Sequence, residues 1–332
     1  TLLIFAVIAY QLNKVIAPVH ETLSKVADEL NTLSSSISLI ENESFNSSLL
    51  QDMKAAFLEN NKKASADILR IKKILDKLDL RYNLVLSLPL NLLLLWNLQQ
   101  ILDLEKWKEG RQNNLNAWFD TLADFEALNS FGLLLFNHPE WIFPTIHPEY
   151  FSMEGKEIGH PIIPVEKRVN NFIDIPGNAE LMLVTGSNMA GKSTYLRSIG
   201  INVILAMAGS PVCARSFSVS HVQLISSMRV TDNLEESTST FYAELKKLKT
   251  IIEKVKACES VFILLNEILR GTNSLDRHIG SKALIKQLIK KKAAAIIATH
   301  DLELANLKEA FSENLLNYQL DVQVSNDELY FD

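Results

Sequence analysis

The chain has 332 residues and a formal net charge of −6, from 33 Lys and Arg against 39 Asp and Glu. This length corresponds to about two domains with a sizeable core in each. The acidic balance excludes a chain-wide basic surface, so any DNA contact would be local or would depend on the assembly. The two cysteines, Cys213 and Cys258, exclude a disulfide framework and are typical of a reducing compartment, so we expect a cytoplasmic protein.

The chain opens on an apolar run, TLLIFAVIAY. The run is too short to cross a bilayer, which takes about 20 residues. Two interpretations stay open for residues 1–12: the end of a longer membrane helix, which would tether the protein at its N-terminus, or the start of a buried helix. A second apolar run, LVLSLPLNLLLLW at 84–96, is interrupted by Pro89 and Asn91 and predicts a core helix.

The first half of the sequence has helical patterning. A heptad stripe at alternating spacings of three and four predicts a long helix, which the polar patch at 41–48 ends; the stripe consists of Leu23, Val26, Leu30, Leu33, Ile37 and Ile40. A second helical pattern follows at Ile68, Ile71, Leu75 and Leu78. We therefore predict an all-α domain over residues 1–140, organised as a helical hairpin or lever.

The second half changes to α/β patterning after a Pro- and aromatic-rich segment, 138–150, which predicts a linker. Short apolar runs separated by helical stretches predict parallel strands with crossover helices over residues 141–332. The strand candidates are 181–184, 261–265 and 294–298, and a terminal hairpin is predicted from 318–324 and 328–331 around Ser325, Asn326 and Asp327.

The first strand candidate runs into the stretch VTGSNMAGKS, in which Gly186, Gly191, Lys192 and Ser193 satisfy the pattern of a phosphate-binding loop. A mostly apolar helix is predicted to begin at Lys192. A strand, loop and helix in this order orient backbone N–H groups and the helix N-terminus toward a bound phosphate group. Lys192 would neutralise phosphate charge, and Ser193 would offer its hydroxyl to Mg²⁺.

The second strand candidate ends in Asn266 and Glu267. In a nucleotide hydrolase of this layout, the first of these positions holds Mg²⁺ through water and the second activates the attacking water. The neutral amide of Asn266 can accept a hydrogen bond but lacks the charge of a carboxylate. We therefore expect ATP to bind, with Mg²⁺ affinity and turnover impaired, and Glu267 to act as the base.

Two further positions point to phosphate. His300 follows the third strand candidate at the same predicted sheet edge, where it could contact the terminal phosphate. Ser239 precedes a predicted helix in STFYAEL. Hydroxyls at such a position are normally helix caps, but the same geometry presented by a second subunit is an anion site.

Four stretches together resemble the ATPase domain of the MutS family of DNA mismatch repair proteins: TGSNMAGKSTYLRSIG, STFYAEL, LLNEILRGTNSLDR and ATHDLELANL. The resemblance covers roughly residues 155–332. It implies an ABC-type P-loop ATPase fold that works as a homodimer with two composite ATP sites, with ATP and Mg²⁺ as cofactors and duplex DNA as a partner. Residues 11–135 would correspond, by position only, to the lever and core helices of the family.

Site residues follow from this resemblance position by position. Glu267 and His300 are implied as catalytic groups, with Ser239 acting across the dimer, Asp276 in the loop after the strand, and Ser193 and Asn266 at the metal. The implied nucleotide-binding residues are Phe172, whose ring would stack on adenine, Ile173, Gly186, Ser187, Asn188, Met189, Ala190, Gly191, Lys192, Ser193 and Thr194.

The sequence also departs from the family. MutS proteins usually carry Asp where Asn266 stands, nothing upstream is long enough for mismatch-reading and connector domains, and the chain stops at Phe331 and Asp332, where the family continues into a dimerising segment. We expect a MutS-related protein without the mismatch-recognition domain, and a membrane-tethered branch of the family is one interpretation that fits the apolar N-terminal run. Two functions stay open: a DNA-coupled ATPase, or a nucleotide-gated switch with little turnover.

Overall fold

The chain is described by a computed structural model. The described residues are 11, 27–59, 62–176, 181–187, 190–228, 240–257, 259–269, 271–320, 322–325 and 328–331. The chain divides into two compact units, Thr1–Ser130 and Phe131–Asp332. Residues 1–10 and 12, which carry most of the apolar N-terminal run, lie outside the described residues.

The first unit consists mainly of helices. Its elements are α1 (Ala27–Asn42), α2 (Ser48–Ala55), β1 (Leu58–Glu59), β2 (Lys62–Lys63), α3 (Ala64–Asp79), α4 (Leu84–Leu94) and α5 (Trp96–Asn137), the last of which continues beyond Ser130. The prediction of an all-α organisation is wrong in one detail, because β1 and β2 form a short antiparallel hairpin.

The predicted heptad stripe forms the core of this unit. Helices α1 and α3 pack together, and Ile37 on α1 is fully buried beside Ile68 and Leu75 on α3. Trp107 and Trp118 on α5 close the same core. The two earliest positions of the stripe, Leu23 and Val26, lie outside the described residues.

Helix α4 is helical as predicted, but its predicted role in the core is wrong for three of its apolar side chains, while Leu90 and Leu92 are half-buried. Val85 is 81% exposed, Leu93 63% and Leu94 51%. An apolar run without helical periodicity does not specify which face is buried. Within the described part of the chain, no helix combines the length and apolar character that a membrane crossing requires.

The described part of the second unit contains a five-stranded sheet, a four-stranded sheet and a two-stranded hairpin, together with helices. Its elements are β3 (Thr145–His147), β4 (Met153–Ile158), β5 (Asn171–Ile175), β6 (Leu181–Gly186), α6 (Lys192–Met207), β7 (Ser216–Ser220), β8 (Gln223–Ser227), α7 (Thr240–Lys256), β9 (Val261–Asn266), α8 (Ser274–Lys290), β10 (Ala294–Ala298), α9 (Leu307–Ala310), β11 (Leu315–Leu320), β12 (Val322–Ser325) and β13 (Glu328–Phe331). The three strand candidates of the sequence are confirmed as β6, β9 and β10, and α6 begins at Lys192 as predicted.

The larger sheet is entirely parallel, in the order β11-β6-β10-β9-β8. Its central strands are buried on both faces, as crossover helices require. One face, which includes Val184 and Leu264, packs on α6 and on the second sheet. The other, which includes Leu183 and Leu265, packs on α7 and α8. The carboxyl ends of β6, β9 and β10 therefore meet at one sheet edge.

The smaller sheet has the order β3-β7-β4-β5. Strand β3 lies inside the segment 138–150, so the prediction of a linker there is wrong. Trp141 in the same segment is 3% exposed, and Ile142 forms a bridge with Val212. Aromatic residues beside proline resemble a linker in composition, but here they pack into the core and extend the sheet.

The predicted terminal hairpin is confirmed for β12 and β13, which pair antiparallel. Its predicted beginning is wrong, because residues 318–320 belong to β11 and pair with β6 in the parallel sheet. Asn326 and Asp327, the predicted centre of the turn, lie outside the described residues.

Candidate functional site

The phosphate-loop sequence joins the end of β6 to the start of α6. Gly186 has φ +149° and Gly191 has φ +76°, backbone conformations that suit glycine. A Cβ atom at Gly186 would also collide with the Leu320 carbonyl oxygen. Gly191 is the N-cap of α6, so the first N–H groups of a 16-residue helix face the space above the sheet edge.

Lys192 and His300 meet at this loop. Lys192 Nζ donates to the carbonyl oxygens of Gly186, at 2.8 Å, and Ser187, at 2.6 Å, and lies 3.2 Å from His300 Nδ1. His300 Nδ1 is also 3.0 Å from the Gly186 oxygen. The Lys192 side chain is nearly buried, at 4% exposed. Its charge is thus held at the centre of the loop by backbone oxygens.

Glu267 completes this chain of contacts. Its Oε1 lies 2.5 Å from His300 Nε2, so the imidazole faces oxygen atoms on both ring nitrogens. Glu267 has φ +54°, which is uncommon for a residue with a side chain. Its backbone N–H donates to the Ala298 carbonyl at 2.8 Å, which joins the ends of β9 and β10.

Asn266 and Ser193 form the second pair of the site. Asn266 Nδ2 donates to Ser193 Oγ at 2.9 Å and lies 3.5 Å from the Met228 carbonyl oxygen. Asn266 is 7% exposed, and its Oδ1 is a buried acceptor with no hydrogen-bond partner among the described residues. A buried polar oxygen left unpaired beside a serine hydroxyl is what a site for a water or a metal-bound water would leave in the protein alone.

A cavity of about 350 Å³ opens beside the phosphate loop. Its lining brings together Ala190, Gly191, Lys192, Ser193 and Thr194 from the loop and α6 with His160, Ile163, Lys167, Val169, Asn171, Tyr195, Ser198 and Leu320. None of these described lining residues carries a carboxylate, whereas Lys167 and Lys192 carry positive charge. The cavity therefore suits an anion.

Two lining side chains have pKa values shifted by their surroundings. Burial, helped by the charge of Arg197, lowers the pKa of His160 below its ordinary 6.5. Burial raises the pKa of Tyr195, with a further contribution from Tyr318. Tyr195 stays a neutral phenol at physiological pH and donates its hydroxyl to the Phe172 carbonyl at 3.1 Å. This hydrogen bond ties α6 to β5.

Phe172 and Ile173 are adjacent on β5 but point to opposite faces. Phe172 is 59% exposed, and its ring centroid lies 6.0 Å from that of Tyr318 in an edge arrangement. Ile173 is 1% exposed in the core of the unit. The ring of Phe172 is thus exposed, whereas the side chain of Ile173 lies in the core, and neither residue is among the described residues that line the cavity beside the phosphate loop.

Some predicted site residues lie outside the described residues. These are Asn188 and Met189 of the phosphate loop and Ser239, which immediately precedes α7. Asp276 is not in a loop as expected: it lies in the first turn of α8, where its N–H donates to the N-cap Asn273 at 2.8 Å and its Oδ2 accepts from the Asn273 amide at 2.8 Å. That mutual pairing is a helix cap.

A second His and carboxylate group lies next to the site, and sequence reasoning did not identify it. His278 Nδ1 is 2.7 Å from Asp301 Oδ2, and Glu303 Oε2 is 3.9 Å from His278 Nε2. His278, Asp301 and Glu303 are of residue types that commonly bind metal ions. However, Asp301 Oδ1 already accepts the Glu303 N–H at 3.1 Å as an N-cap. Both Asp301 oxygens have protein partners, which favours a structural role.

Glu244 is the other residue that sequence reasoning did not single out. Glu244 belongs to the STFYAEL motif. The one sequence signal of its burial is that this carboxylate lies on an otherwise apolar face of the predicted helix. In the structure Glu244 is 8% exposed, and its Oε1 accepts the Leu269 N–H at 2.6 Å. It joins α7 to the loop that carries Glu267.

Comparisons of the sequence with known proteins find similarity to MutS proteins over the part of the chain that holds the candidate site. A family model described as MutS domain V matches residues 182–332. The DNA mismatch repair protein MutS of Finegoldia magna is 33% identical over 219 residues, which cover 64% of this chain and 25% of that protein. MutS protein homolog 4 of Mus musculus is 35% identical over 198 residues, which cover 58% of this chain and 20% of that protein.

The chain thus spans about a quarter or less of the length of the curated relatives that it matches. Within this span the comparisons and the sequence motifs point to one family, and the α/β architecture of the second unit agrees with it. The resemblance read from the phosphate loop and its companion motifs is confirmed: residues 182–332 match MutS domain V, and this chain is similar to MutS proteins over 58–64% of its length.

Proposed function

We propose that the chain binds ATP at the phosphate loop and hydrolyses it between two copies of itself, so that the nucleotide state of a dimer is coupled to DNA binding or repair-related signalling. One observation carries this proposal: Lys192 Nζ, His300 and Glu267 lie in one chain of contacts of 3.2 Å and 2.5 Å at the sheet edge. Charge neutralisation, phosphate contact and a base are therefore adjacent.

The proposal includes the organisation of the chain. The second unit would be a P-loop ATPase domain of ABC type over residues 141–332, and residues 1–140 would be a lever and core-like helical domain. The parallel sheet order and the phosphate loop at the N-terminus of α6 support the first part. A cytoplasmic location stays a prediction of the sequence, and the two interpretations of residues 1–12, a membrane tether or the start of a buried helix, stay open.

The residues present fit ATP and Mg²⁺. The basic cavity suits the triphosphate, and the exposed ring of Phe172 suits a base. Ser193 Oγ and the unpartnered Oδ1 of Asn266 are the oxygens that would hold Mg²⁺, directly and through water. When bound, Mg²⁺ would neutralise negative charge on the phosphate groups of the nucleotide.

Each residue then has a defined part in hydrolysis. Glu267 accepts a proton from the attacking water as a bond forms between the water oxygen and the γ-phosphorus, while the bond from that phosphorus to the bridging oxygen of ADP breaks. His300 orients the Glu267 carboxylate and contacts the γ-phosphate. Lys192 leaves the carbonyl oxygens of the loop to neutralise the phosphate charge, and Ser239 of the second copy closes the site.

A second candidate function is a nucleotide-gated switch with little turnover. The observation that favours it is Asn266, which holds Ser193 through an amide donor and brings no charge to the metal position. Binding of ATP would then close the dimer without rapid hydrolysis, and the partner that reads this closure would be DNA or another protein.

Steady-state ATP hydrolysis with Mg²⁺, in the presence and absence of duplex DNA, distinguishes the two functions. Turnover that duplex DNA stimulates supports the DNA-coupled ATPase. Saturable ATP binding without turnover, with turnover restored by Asn266→Asp, supports the switch. Absence of ATP binding contradicts both.

A further inference from the structure

The loop after β9 holds Glu267 in an unusual backbone conformation. Glu267 has φ +54° and Leu269 has φ +59°, two left-handed residues with side chains separated by only one position. Such conformations persist when the surrounding structure fixes them. The contacts that fix this loop therefore also decide where the Glu267 carboxylate points.

Glu244 makes a polar contact with the backbone of this loop at Leu269. Its Oε1 accepts the Leu269 N–H at 2.6 Å, a distance typical of a strong, charge-assisted hydrogen bond. Both partners are buried, with Glu244 8% exposed and Leu269 7% exposed. Without the carboxylate, the Leu269 N–H would be a buried donor with no acceptor.

Apolar packing holds the loop from two further sides. The Leu269 side chain lies against Gly280 of α8, where a Cβ atom would collide with it. A Cβ atom at Gly271 would lie 2.7 Å from the Cβ of Phe241 on α7. Side-chain volume thus restrains the loop generally, whereas Glu244 fixes the direction of one backbone N–H two residues from the base.

We propose that Glu244 is a positioning residue, which sets the loop conformation that places the Glu267 carboxylate against His300. The proposal rests on the proposed function, because it assigns Glu244 to the orientation of the same base. Glu244 lies in the second turn of α7, and Ser239 immediately precedes that helix. The segment proposed to act across the dimer is thereby tied to the base of its own subunit.

The test compares Glu244→Gln with Glu244→Asp in the full chain. Gln keeps an oxygen acceptor at the same length and loses the charge, whereas Asp keeps the charge and withdraws the oxygen by about 1.5 Å, one carbon–carbon bond. We expect Gln to keep kcat within about 3-fold and Asp to lower it about 10- to 100-fold, with KM for ATP unchanged in both. Glu253→Ala, an exposed glutamate on the same helix, is the matched control.

A second readout does not depend on turnover. The imidazole proton resonances of His300, assigned with His300→Gln, report the Glu267 contact in the chain without nucleotide. We expect Glu244→Asp to shift them in the same direction as Glu267→Gln does, and Glu244→Gln to leave them at their wild-type positions. Absence of hydrolysis in the wild-type chain would count against the proposed ATPase, and this readout would still decide the role of Glu244.

Two results would overturn the proposal. Unchanged His300 resonances in Glu244→Asp would mean that the loop keeps its conformation without this hydrogen bond. A larger loss of kcat in Glu244→Gln than in Glu244→Asp would mean that the charge of Glu244, and not the position of its oxygen, matters. Thermal unfolding of each variant, measured alongside, separates either result from a failure to fold.

Discussion

The substitution Asn266→Asp restores the aspartate that MutS proteins usually carry at this position. Of the departures from the family pattern, this one bears most on the rate of ATP hydrolysis. The two side chains have nearly the same shape, so the change replaces the Nδ2 donor by a charged oxygen without creating a cavity. Ser193 Oγ, which accepts from Nδ2 at 2.9 Å, would instead donate to the carboxylate. The Oδ1 atom, which is buried without a partner, would become a charged acceptor for a metal-bound water.

The size of the effect follows from these contacts. A hydrogen bond to a charged group contributes about 1.5–3 kcal/mol, against about 0.5–1.5 kcal/mol for a neutral one. The midpoints of these two ranges differ by about 1.2 kcal/mol, which is slightly less than tenfold in an equilibrium constant. We expect Asn266→Asp to lower the Mg²⁺ concentration for half-maximal ATP hydrolysis about 10-fold and to raise kcat by at least as much.

The same substitution should reduce stability in the absence of Mg²⁺, because it buries a charge that lacks an ion. We expect a loss of about 1–3 kcal/mol, comparable to an unsatisfied buried group, and a lower Tm. Asn317→Asp is the matched control. Asn317 also has a buried Oδ1 without a partner among the described residues, and its amide donates to the Ala305 carbonyl at 2.8 Å. It lies on β11 and is not one of the described residues that line the cavity beside the phosphate loop.

The assay is a Mg²⁺ titration of steady-state ATP hydrolysis for wild type and the two variants. Asn317→Asp should lower Tm without raising the rate. An Asn266→Asp rate and Mg²⁺ requirement equal to those of wild type would refute the reasoning, because the missing charge would then not limit turnover.

Three further predictions concern the cavity and the dimer. Phe172→Ala should weaken ATP binding about 5- to 100-fold if its exposed ring stacks on the base, and equal affinity in a direct titration would remove that role. Ser239→Ala should slow hydrolysis only where the chain dimerises, so an equal effect in a demonstrated monomer would contradict action in trans. Because burial lowers the pKa of His160 below 6.5, the unfolded chain binds this proton more readily than the folded one. The contribution of neutral His160 to the free energy of unfolding is complete above about pH 6.5 and is lost as the pH falls below that value. The Tm of His160→Gln should therefore fall less on acidification than the Tm of wild type. Identical profiles of Tm against pH for the two proteins would contradict this prediction.

The sequence predicted the parts of the fold that are encoded locally. Strands β6, β9 and β10 are short, continuous apolar runs, and α6 begins at Lys192, where glycine gives way to helix-forming residues. The heptad stripe predicted the packing of α1 on α3 because its period matches one face of a helix. These features depend on neighbours within a few residues of each other.

Other features depend on contacts between distant residues and were not predictable from local patterns. Strand β4 pairs with β7, about 60 residues away, and no local period specifies that partner. Segment 138–150 looked like a linker because its prolines and aromatics give no periodicity, yet Trp141 is buried. The order of strands in the large sheet is likewise set by packing and not by any single segment.

The candidate site shows the same division. The loop glycines, Lys192 and Glu267 are recognisable from spacing and from the strands that precede them. The link from Glu244 to Leu269 spans 25 residues and involves a backbone N–H, which no side-chain pattern encodes. The unpartnered oxygen of Asn266 also becomes visible only when its surroundings are known.

Direct titration of ATP into the wild-type chain and into Lys192→Ala, with Mg²⁺ present, tests the central claim that the phosphate loop is a nucleotide site. Lys192→Ala removes the nearly buried charge at the centre of the loop, so the account predicts saturable binding to wild type and an affinity at least about 10-fold lower for the variant. Lys249→Ala, an exposed lysine on α7, is the control and should bind as wild type does. Equal affinity of wild type and Lys192→Ala for ATP would contradict the claim.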